Sequence, residues 1–197
     1  MTKRLWTALW WFHHVLQENI HVEHTVAQLC AMGERMAPII YSDAEGTGAV
    51  AAVAVFPDGR CEFALGRVPR AMRRQMRARK TQIIAFELIA ATMAALTFAI
   101  PYGGRSVIYV DNTVAVSCLV KSFSRQPDLN VLAGALSVEL ASGSASLDVK
   151  YVPSKLNLAD APSRGSLTEL ARLGAQEVPA VMPAWHLHSD RWLPWRM

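Results

Sequence analysis

The sequence predicts an α/β fold in which a five-stranded mixed sheet carries helices on its faces, with the element order βββαβααβα. Three short apolar segments joined by turns come first, and a long apolar segment of helical length follows them. The remaining strand-like segments are separated from one another by segments of helical length. Three antiparallel strands followed by strands joined through helices give a sheet of mixed direction.

The first three strands are predicted from apolar runs bounded by turn residues. Glycines 46 and 48 separate the first two strands. The following turn, Pro57-Asp58-Gly59-Arg60, contains the Asp-Gly pair that is a strong hairpin signal. The predicted strands are Ala37–Asp43, Ala49–Phe56 and Cys61–Leu65.

The later elements are predicted from helix caps and helix breakers. Thr81 is a suitable cap for a long helix that runs to about Phe98, and Pro101 is expected to end that helix. Pro127 interrupts the next helical region. The predicted elements are a strand at Ser106–Val110, helices at Asn112–Val120 and Leu129–Leu140, a strand at Leu147–Val152, and a loop that becomes helical within Ser154–Leu170.

Composition excludes several classes of protein. The chain has 197 residues, of which 52% are hydrophobic and 18% charged, so it is neither intrinsically disordered nor a small stapled scaffold. Its three cysteines are widely spaced, which favours a reducing intracellular compartment (cytoplasm or nucleus) over a disulfide framework. The apolar run Ile83–Ile100 contains Glu87, which is costly in lipid, so we expect a buried core helix and no membrane partner.

Tryptophan and histidine mark the two ends of the chain. All six Trp and all six His lie outside residues 38–165. We therefore predict an N-terminal helical or connection segment over 1–37, a central domain over 38–165 and a C-terminal tail over 166–197. The amphipathic run LWTALWWFHHVL near the N-terminus is suited to docking on another domain.

Positive charge is concentrated in one stretch of the chain. The net charge is +4, yet residues 67–80 contain seven Lys or Arg and no acid, which leaves the rest of the chain at −3. This stretch, called the basic stripe below, indicates a polyanionic partner. A solvated helix face is the alternative interpretation, and it is the commoner one for a charge run alone.

Four acids occupy positions that stability does not explain. Asp43 ends the first predicted strand, Glu87 interrupts the apolar helix, Asp111 ends the fourth strand, and Asp160 lies in the last helical segment. Buried, clustered carboxylates are unfavourable unless they hold hard cations such as Mg²⁺. Taken one at a time, the aspartates have ordinary interpretations as a turn cap, a helix N-cap and a surface acid, whereas Glu87 has none.

Four strings surround these acids: YSDA over 41–44, QIIAFELIA over 82–90, YVDN over 109–112 and, most specifically, YVPSKLNLADAPSRG over 151–165. Together they resemble the type 1 ribonuclease H domains of retroelement reverse transcriptases, in particular those of BEL/Pao and tyrosine-recombinase retrotransposons. The resemblance spans about residues 38–165 and implies a ribonuclease H-like fold.

The resemblance implies an endonuclease, a hydrolase that cuts the RNA strand of an RNA–DNA hybrid with two Mg²⁺ ions, for which Mn²⁺ can substitute. A reverse transcriptase polymerase domain is the implied protein partner. The implied catalytic and metal-binding residues are Asp43, Glu87, Asp111 and Asp160. The candidate nucleic-acid contacts are Arg73, Arg74, Arg77, Arg79 and Lys80 in the basic stripe, together with Asn112, Asn157 and Arg164. Asn157 is also a candidate helix cap, and Arg164 a candidate ion-pair partner.

One departure from the family pattern supports a second interpretation. Many family members carry a His in the loop before the last acid, and residues 152–158 contain none. The alternative is therefore a catalytically inactive ribonuclease H-like module that binds nucleic acid or a protein partner, although the presence of all four acids argues against it. The YVDN string also suggests the YxDD hairpin of a polymerase palm, but its last residue is Asn112 where that motif needs an acid.

Overall fold

One mixed sheet organises the part of the chain that the computed structural model describes, residues 36–142 and 145–183. Within those ranges the sheet has six strands in the order β5-β4-β1-β2-β3-β6. β1 to β3 are antiparallel, whereas β4 pairs in parallel with β1, β5 with β4 and β6 with β3. The strands are β1 Met36–Ala44, β2 Ala49–Val55, β3 Cys61–Arg67, β4 Gly104–Val110, β5 Ala145–Tyr151 and β6 Gln176–Glu177.

The predicted fold class is confirmed, with one strand more than expected. β6 has only two residues and therefore leaves no periodic pattern in the sequence. The helices are α1 Arg70–Gln75, α2 Ile83–Ala94, α3 Thr113–Lys121, α4 Pro127–Ser142, α5 Asp160–Ser163 and α6 Thr168–Arg172. A short 3₁₀ turn, Ser154–Leu156, precedes α5.

The long helix extends further than predicted. After α2 the chain continues through a π-helical turn, Ala95–Ala99, and a last turn that ends at Tyr102. A proline ring clashes with the carbonyl four residues earlier in a regular helix, so the wide turn just before Pro101 allows the helix to continue. The prediction of an end at Phe98 was therefore wrong. At the other end, Thr81 Oγ1 accepts a hydrogen bond of 3.2 Å from the N–H of Ile83.

The long helix is the centre of the core. Ile83–Tyr102 is long and apolar enough to cross a membrane, since an 18-residue stretch within it has a mean hydropathy of 2.2. However, 72% of that stretch is buried inside the protein. Ten consecutive residues of α2, from Ala85 to Ala94, are buried. Each fully buried Phe, Leu or Ile contributes roughly 1.5–3 kcal/mol. The helix is therefore buried on all sides, as predicted, and Glu87 is buried with it.

The opposite face of the sheet has its own smaller core. Val53 and Phe63 pack there with Leu170 of α6 and with Ala159. β6 and α6 follow the predicted boundary at residue 165, and both lie against the sheet. Beyond them the chain returns to the helical face, where the N–H of Val181 donates to Thr97 Oγ1 at 3.0 Å.

An ion pair joins the basic stripe to the start of α4. The guanidinium of Arg79 donates to both carboxylate oxygens of Asp128, and the backbone N–H of Arg77 donates to the same carboxylate at 3.0 Å. Burial alone would raise the pKa of Asp128, but these hydrogen bonds lower it below its ordinary value. The side chain of Asp128 is only 5% exposed, so it is protected from solvent screening.

The buried pair predicts a large stability difference between two aspartates. Asp128→Ala should lower the free energy of unfolding by about 3 kcal/mol, because it leaves a half-buried guanidinium without its partner. Asp148→Ala is the matched control, since it removes the exposed pair with Arg105 and should cost about 0.5 kcal/mol. Urea unfolding measures both, and equal losses would contradict the assignment.

Candidate metal and active site

Three aspartates converge at one edge of the sheet. Each of Asp43, Asp111 and Asp160 offers a carboxylate oxygen, and these three oxygens lie within 4.8 Å of one another. The convergence follows from the topology, because β1 and β4 are parallel neighbours in which Ser42 pairs with Val110. The next residue in each strand is an aspartate, so the two carboxylates emerge side by side. Asp160 is the first residue of α5, which crosses the same edge.

Asn112 leaves the carboxylate of Asp111 free for other contacts. α3 begins immediately after Asn112, whose Oδ1 accepts hydrogen bonds of 3.1 Å from the N–H groups of Val114 and Ala115. The N-cap of this helix is therefore Asn112, and not Asp111 as one interpretation of the sequence allowed. The amide oxygen of Asn112, a candidate nucleic-acid contact, is occupied by these two bonds.

Asn157 and Ser163 hold the α5 segment against β1. The buried Asn157 donates through Nδ2 to the carbonyl of Ser42 at 3.0 Å and accepts from the N–H of Ala159 at 3.1 Å. Ser163, also buried, donates its hydroxyl to the carboxylate of Asp43. The sequence analysis did not include Ser163. Its available signal was its place three residues after Asp160, on the same helical turn.

Glu87 lies behind the three aspartates and is almost inaccessible. It is 2% exposed, and its carboxylate accepts a hydrogen bond from the N–H of Ala44. Oε2 has no hydrogen-bond partner among the residues that the structure describes. Burial, followed by the negative charges of Asp43 and Asp111, raises the pKa of Glu87 to about 9. Glu87 is not one of the three acids whose oxygens lie within 4.8 Å of one another.

The charge of the cluster is under-compensated. Burial raises the pKa of Asp43 to about 6, and although the hydrogen bond from Ser163 lowers it, Asp111 and Asp160 raise it further. Among the described residues, Oε2 of Glu87 has no hydrogen-bond partner, and the pKa values of Asp43 and Glu87 are both raised. Additional positive charge at this site would therefore be stabilising. Hard divalent cations prefer such oxygen ligands, so the residues present fit Mg²⁺ or Mn²⁺.

The described cation nearest to the cluster is Arg164. Its Nη2 and Nε donate to Asp160 Oδ1 at 2.8 and 3.2 Å, four residues apart on the α5 turn. Both side chains are partly accessible, at 65% for Arg164 and 27% for Asp160. Of the two interpretations of Arg164, the structure shows the pairing with an acid.

One residue of the basic stripe, Arg73, lies near this edge of the sheet. Arg73 Cζ is 5.2 Å from the ring centroid of Phe86, the neighbour of Glu87. The guanidinium of Arg73 also lies against Gly48, in the turn after β1: a Cβ at that position would be 3.4 Å from Arg73 Cζ. Arg79 is engaged by Asp128, as described above. Within the described ranges, the stripe residues whose side chains form no ion pair are Arg67, Arg70, Arg73, Arg74, Arg77 and Lys80.

The predicted terminal segments fall largely outside the described residues. The Trp-rich run and all six His precede residue 36 or follow residue 183, and so does most of the predicted 1–37 segment. Those predictions therefore stay predictions.

The comparisons with known proteins give structural likenesses only. No protein-family model matches the chain, and no curated protein matches it. One similar solved structure is the N-terminal RNase H domain of a Mycobacterium tuberculosis protein fused to maltose-binding protein, with 18% identity, a TM-score of 0.43, and coverage of 72% of this chain and 100% of that one. Another is RNase H1 from the halophilic archaeon Halobacterium salinarum, with 21% identity, a TM-score of 0.43, and coverage of 67% and 96%. Because these identities and TM-scores are low, the evidence for the fold is the order and direction of the strands described above.

The burial of Glu87 predicts how metal-free stability changes with pH. The folded protein retains a proton on Glu87 up to about pH 9, whereas the unfolded chain loses it near its ordinary value of 4.5. The free energy of unfolding in EDTA should therefore fall as pH rises from about 5 towards 9. Glu87→Gln should remove much of this decline and be more stable than wild type at pH 8 by about 2 kcal/mol.

The control for this measurement is Glu169→Gln, because Glu169 is exposed on α6. Urea unfolding at pH 5 and pH 8 should give the control the same pH dependence as wild type. If Glu87→Gln declined as steeply as wild type, the buried carboxylate would not be the cause.

Proposed function

We propose that this chain is a metal-dependent ribonuclease H that hydrolyses the RNA strand of RNA–DNA hybrids. The observation that carries the proposal is the convergence of Asp43, Asp111 and Asp160, with the buried and partnerless oxygen of Glu87 behind them. A structural role does not require four acids at one edge of a sheet, because the cluster costs stability. Strand ends in α/β sheets are also where catalytic sites usually lie.

The proposed metal ligands are the four acids, which would hold two Mg²⁺ ions or Mn²⁺ in their place. Divalent cations bound there would supply activation of a water molecule and stabilisation of the leaving oxygen of a phosphodiester. The protein contributes ligand placement. Ser163 fixes Asp43, Asn157 anchors the α5 segment that carries Asp160, and the N–H of Ala44 fixes Glu87. Ligands held in this way need little rearrangement when they bind their ion.

The proposed substrate contacts come from the basic stripe. Arg73 lies between α2, which carries Glu87, and the turn that follows Asp43, so it is the stripe residue with described contacts nearest to the acids in the chain. Hybrid duplexes resemble A-form helices, which proteins recognise by shape, phosphates and 2′-hydroxyls. Contacts of that kind are electrostatic and weaken steeply with salt. Arg79 is the exception within the stripe, because its guanidinium is held by Asp128.

We further propose that the domain belongs to a retroelement reverse transcriptase and works beside its polymerase domain. The support is the string over residues 151–165, whose Asn157, Asp160, Ser163 and Arg164 all take part in the hydrogen bonds of the site. Within the string, Ser163 and Arg164 contact the acids directly, and Asn157 holds the segment that carries Asp160.

One observation favours the second candidate, an inactive module that binds nucleic acid or a protein partner. The segment over 152–158, in which many family members carry a His, contains none here, and its Leu156 is 66% exposed. An apolar side chain there supplies no proton transfer. The two candidates differ in cleavage, which only the first one performs.

A cleavage assay separates the two candidates. Wild-type protein with Mg²⁺ or Mn²⁺ should cut the labelled RNA strand of an RNA–DNA hybrid and leave the DNA strand and double-stranded DNA intact. Asp111→Asn keeps the size of the side chain and the N-cap at Asn112, so the fold should persist while cleavage falls by about 100-fold or more. Tight hybrid binding by both proteins, with cleavage by neither, would favour the inactive module.

A second experiment tests the basic stripe. The binding constant for the hybrid falls with salt, and the steepness of that fall on logarithmic axes is about 0.9 for each phosphate contact. Replacing Arg73, Arg74 and Arg77 together by Gln should therefore reduce the steepness by about 2–3. The control triple variant, with Gln at Arg105, Arg125 and Arg172, removes the same charge outside the stripe. Fluorescence anisotropy of a labelled hybrid from 50 to 300 mM salt gives the slopes. Equal slopes for wild type and the stripe variant would leave the stripe a solvated surface.

A further inference from the structure

The acid cluster already holds a cation, the guanidinium of Arg164. This group donates twice to Asp160 Oδ1, and Asp160 also offers an oxygen within 4.8 Å of those of Asp43 and Asp111. The guanidinium is always charged, so it neutralises part of the cluster at every ordinary pH. A divalent cation at the three aspartates would need the same carboxylate and would be repelled by the same arginine.

A groove next to the cluster offers Arg164 a second position. The groove has a volume of about 560 Å³ and lies between the turn after β1, the paired strands β2 and β3, and the end of α5. Ser163 and Arg164 form its border with the acid cluster, and Arg67 and Thr47 lie in its lining. Glu45 lines it too and stays an anion there, because hydrogen bonds from the side chain and the N–H of Thr47, the latter at 2.8 Å, lower its pKa and the charge of Arg164 lowers it further.

Arg67 makes this groove suited to an anion. It is exposed at the end of β3 and forms no ion pair with any described residue. A guanidinium binds a phosphate through two parallel N–H groups, and this groove contains two guanidinium groups, those of Arg67 and Arg164. The groove joins the acid cluster through Ser163, so a phosphate in it would be close to the reacting position.

We propose that Arg164 exchanges between two partners: it pairs with Asp160 in the metal-free protein, leaves Asp160 when a divalent cation binds there, and then binds a backbone phosphate in the groove together with Arg67. The inference rests on the proposed function, since the phosphate belongs to the nucleic-acid substrate. Arg164 is 65% exposed and long, so the movement needs only side-chain rotation. The exchange couples the two binding events: a bound metal frees the Arg164 guanidinium for the phosphate, and a bound phosphate frees the Asp160 carboxylate for the metal.

The first test measures metal binding without nucleic acid. Calorimetric titration of Mg²⁺ into metal-free protein should show Arg164→Gln binding about two- to fivefold more tightly than wild type, because the competitor is gone. Arg105→Gln is the matched control: Arg105 is also 65% exposed and pairs with Asp148 at 2.7 Å, at the far end of β4. Its Mg²⁺ affinity should equal that of wild type.

Weaker or unchanged Mg²⁺ affinity in Arg164→Gln would overturn the exchange, because a residue that merely orients Asp160 would weaken binding when lost. Thermal unfolding gives a second measurement on the same proteins. Arg164→Gln should melt below wild type in EDTA and gain more from added Mg²⁺ than wild type does. A smaller gain would also overturn the exchange.

The second test concerns the phosphate. Arg164→Gln and Arg67→Gln should each raise KM for hybrid cleavage about five- to tenfold and leave kcat within twofold, whereas Arg105→Gln should leave both unchanged. An unchanged KM in both variants would overturn the groove as a phosphate site. Absence of cleavage by the wild type would instead overturn the proposed function, and the Mg²⁺ titration would still decide whether Arg164 competes for Asp160.

Discussion

The mutual repulsion of the acids at one edge of the sheet is the constraint on which the site depends. Asp43 and Asp111 are brought together by the parallel pairing of β1 with β4, which the core fixes independently of the acids. Burial raises the pKa of Asp43 and of Glu87, and the negative charges of the neighbouring acids raise both further. Among residues 36–142 and 145–183, the cation that pairs with the cluster is Arg164, which bonds Asp160 alone. The protein holds the carboxylates in place by hydrogen bonds to backbone groups and to one hydroxyl.

The apolar core offsets the loss of stability caused by the clustered acids. α2 is apolar enough to resemble a membrane span, and it packs against the sheet and the other helices on all sides. Placing Glu87 within that helix makes its backbone position very rigid, since local unfolding there would expose the centre of the core. The acid with the least favourable environment is thus attached to a helix that is buried along ten consecutive residues.

Fold and site differ in how far the sequence predicts them. Strands β1 to β5, the mixed sheet and the grouping of Asp43, Asp111 and Asp160 were predictable, because apolar runs, turn residues and isolated acids leave local signals. The pairing of Asp128 with Arg79 was not, since 49 residues separate them and neither has a distinctive neighbour. The continuation of α2 past Pro101 was also missed, because a π-helical turn is an exception to the usual effect of proline. Ser163 was overlooked since a single serine in a loop-like string has no pattern of its own.

The ion pair between Arg79 and Asp128 has a consequence for the speed and selectivity of recognition. Loops that order only on binding lose conformational entropy at that moment, about 1–2 kcal/mol for each backbone residue fixed. Here the segment around Arg77 and Arg79 is fastened to α4 before any partner arrives. The backbone that carries the neighbouring cations is therefore held in place at this point. For the proposed hybrid substrate, such a surface would favour duplexes whose phosphate spacing matches it over flexible single strands.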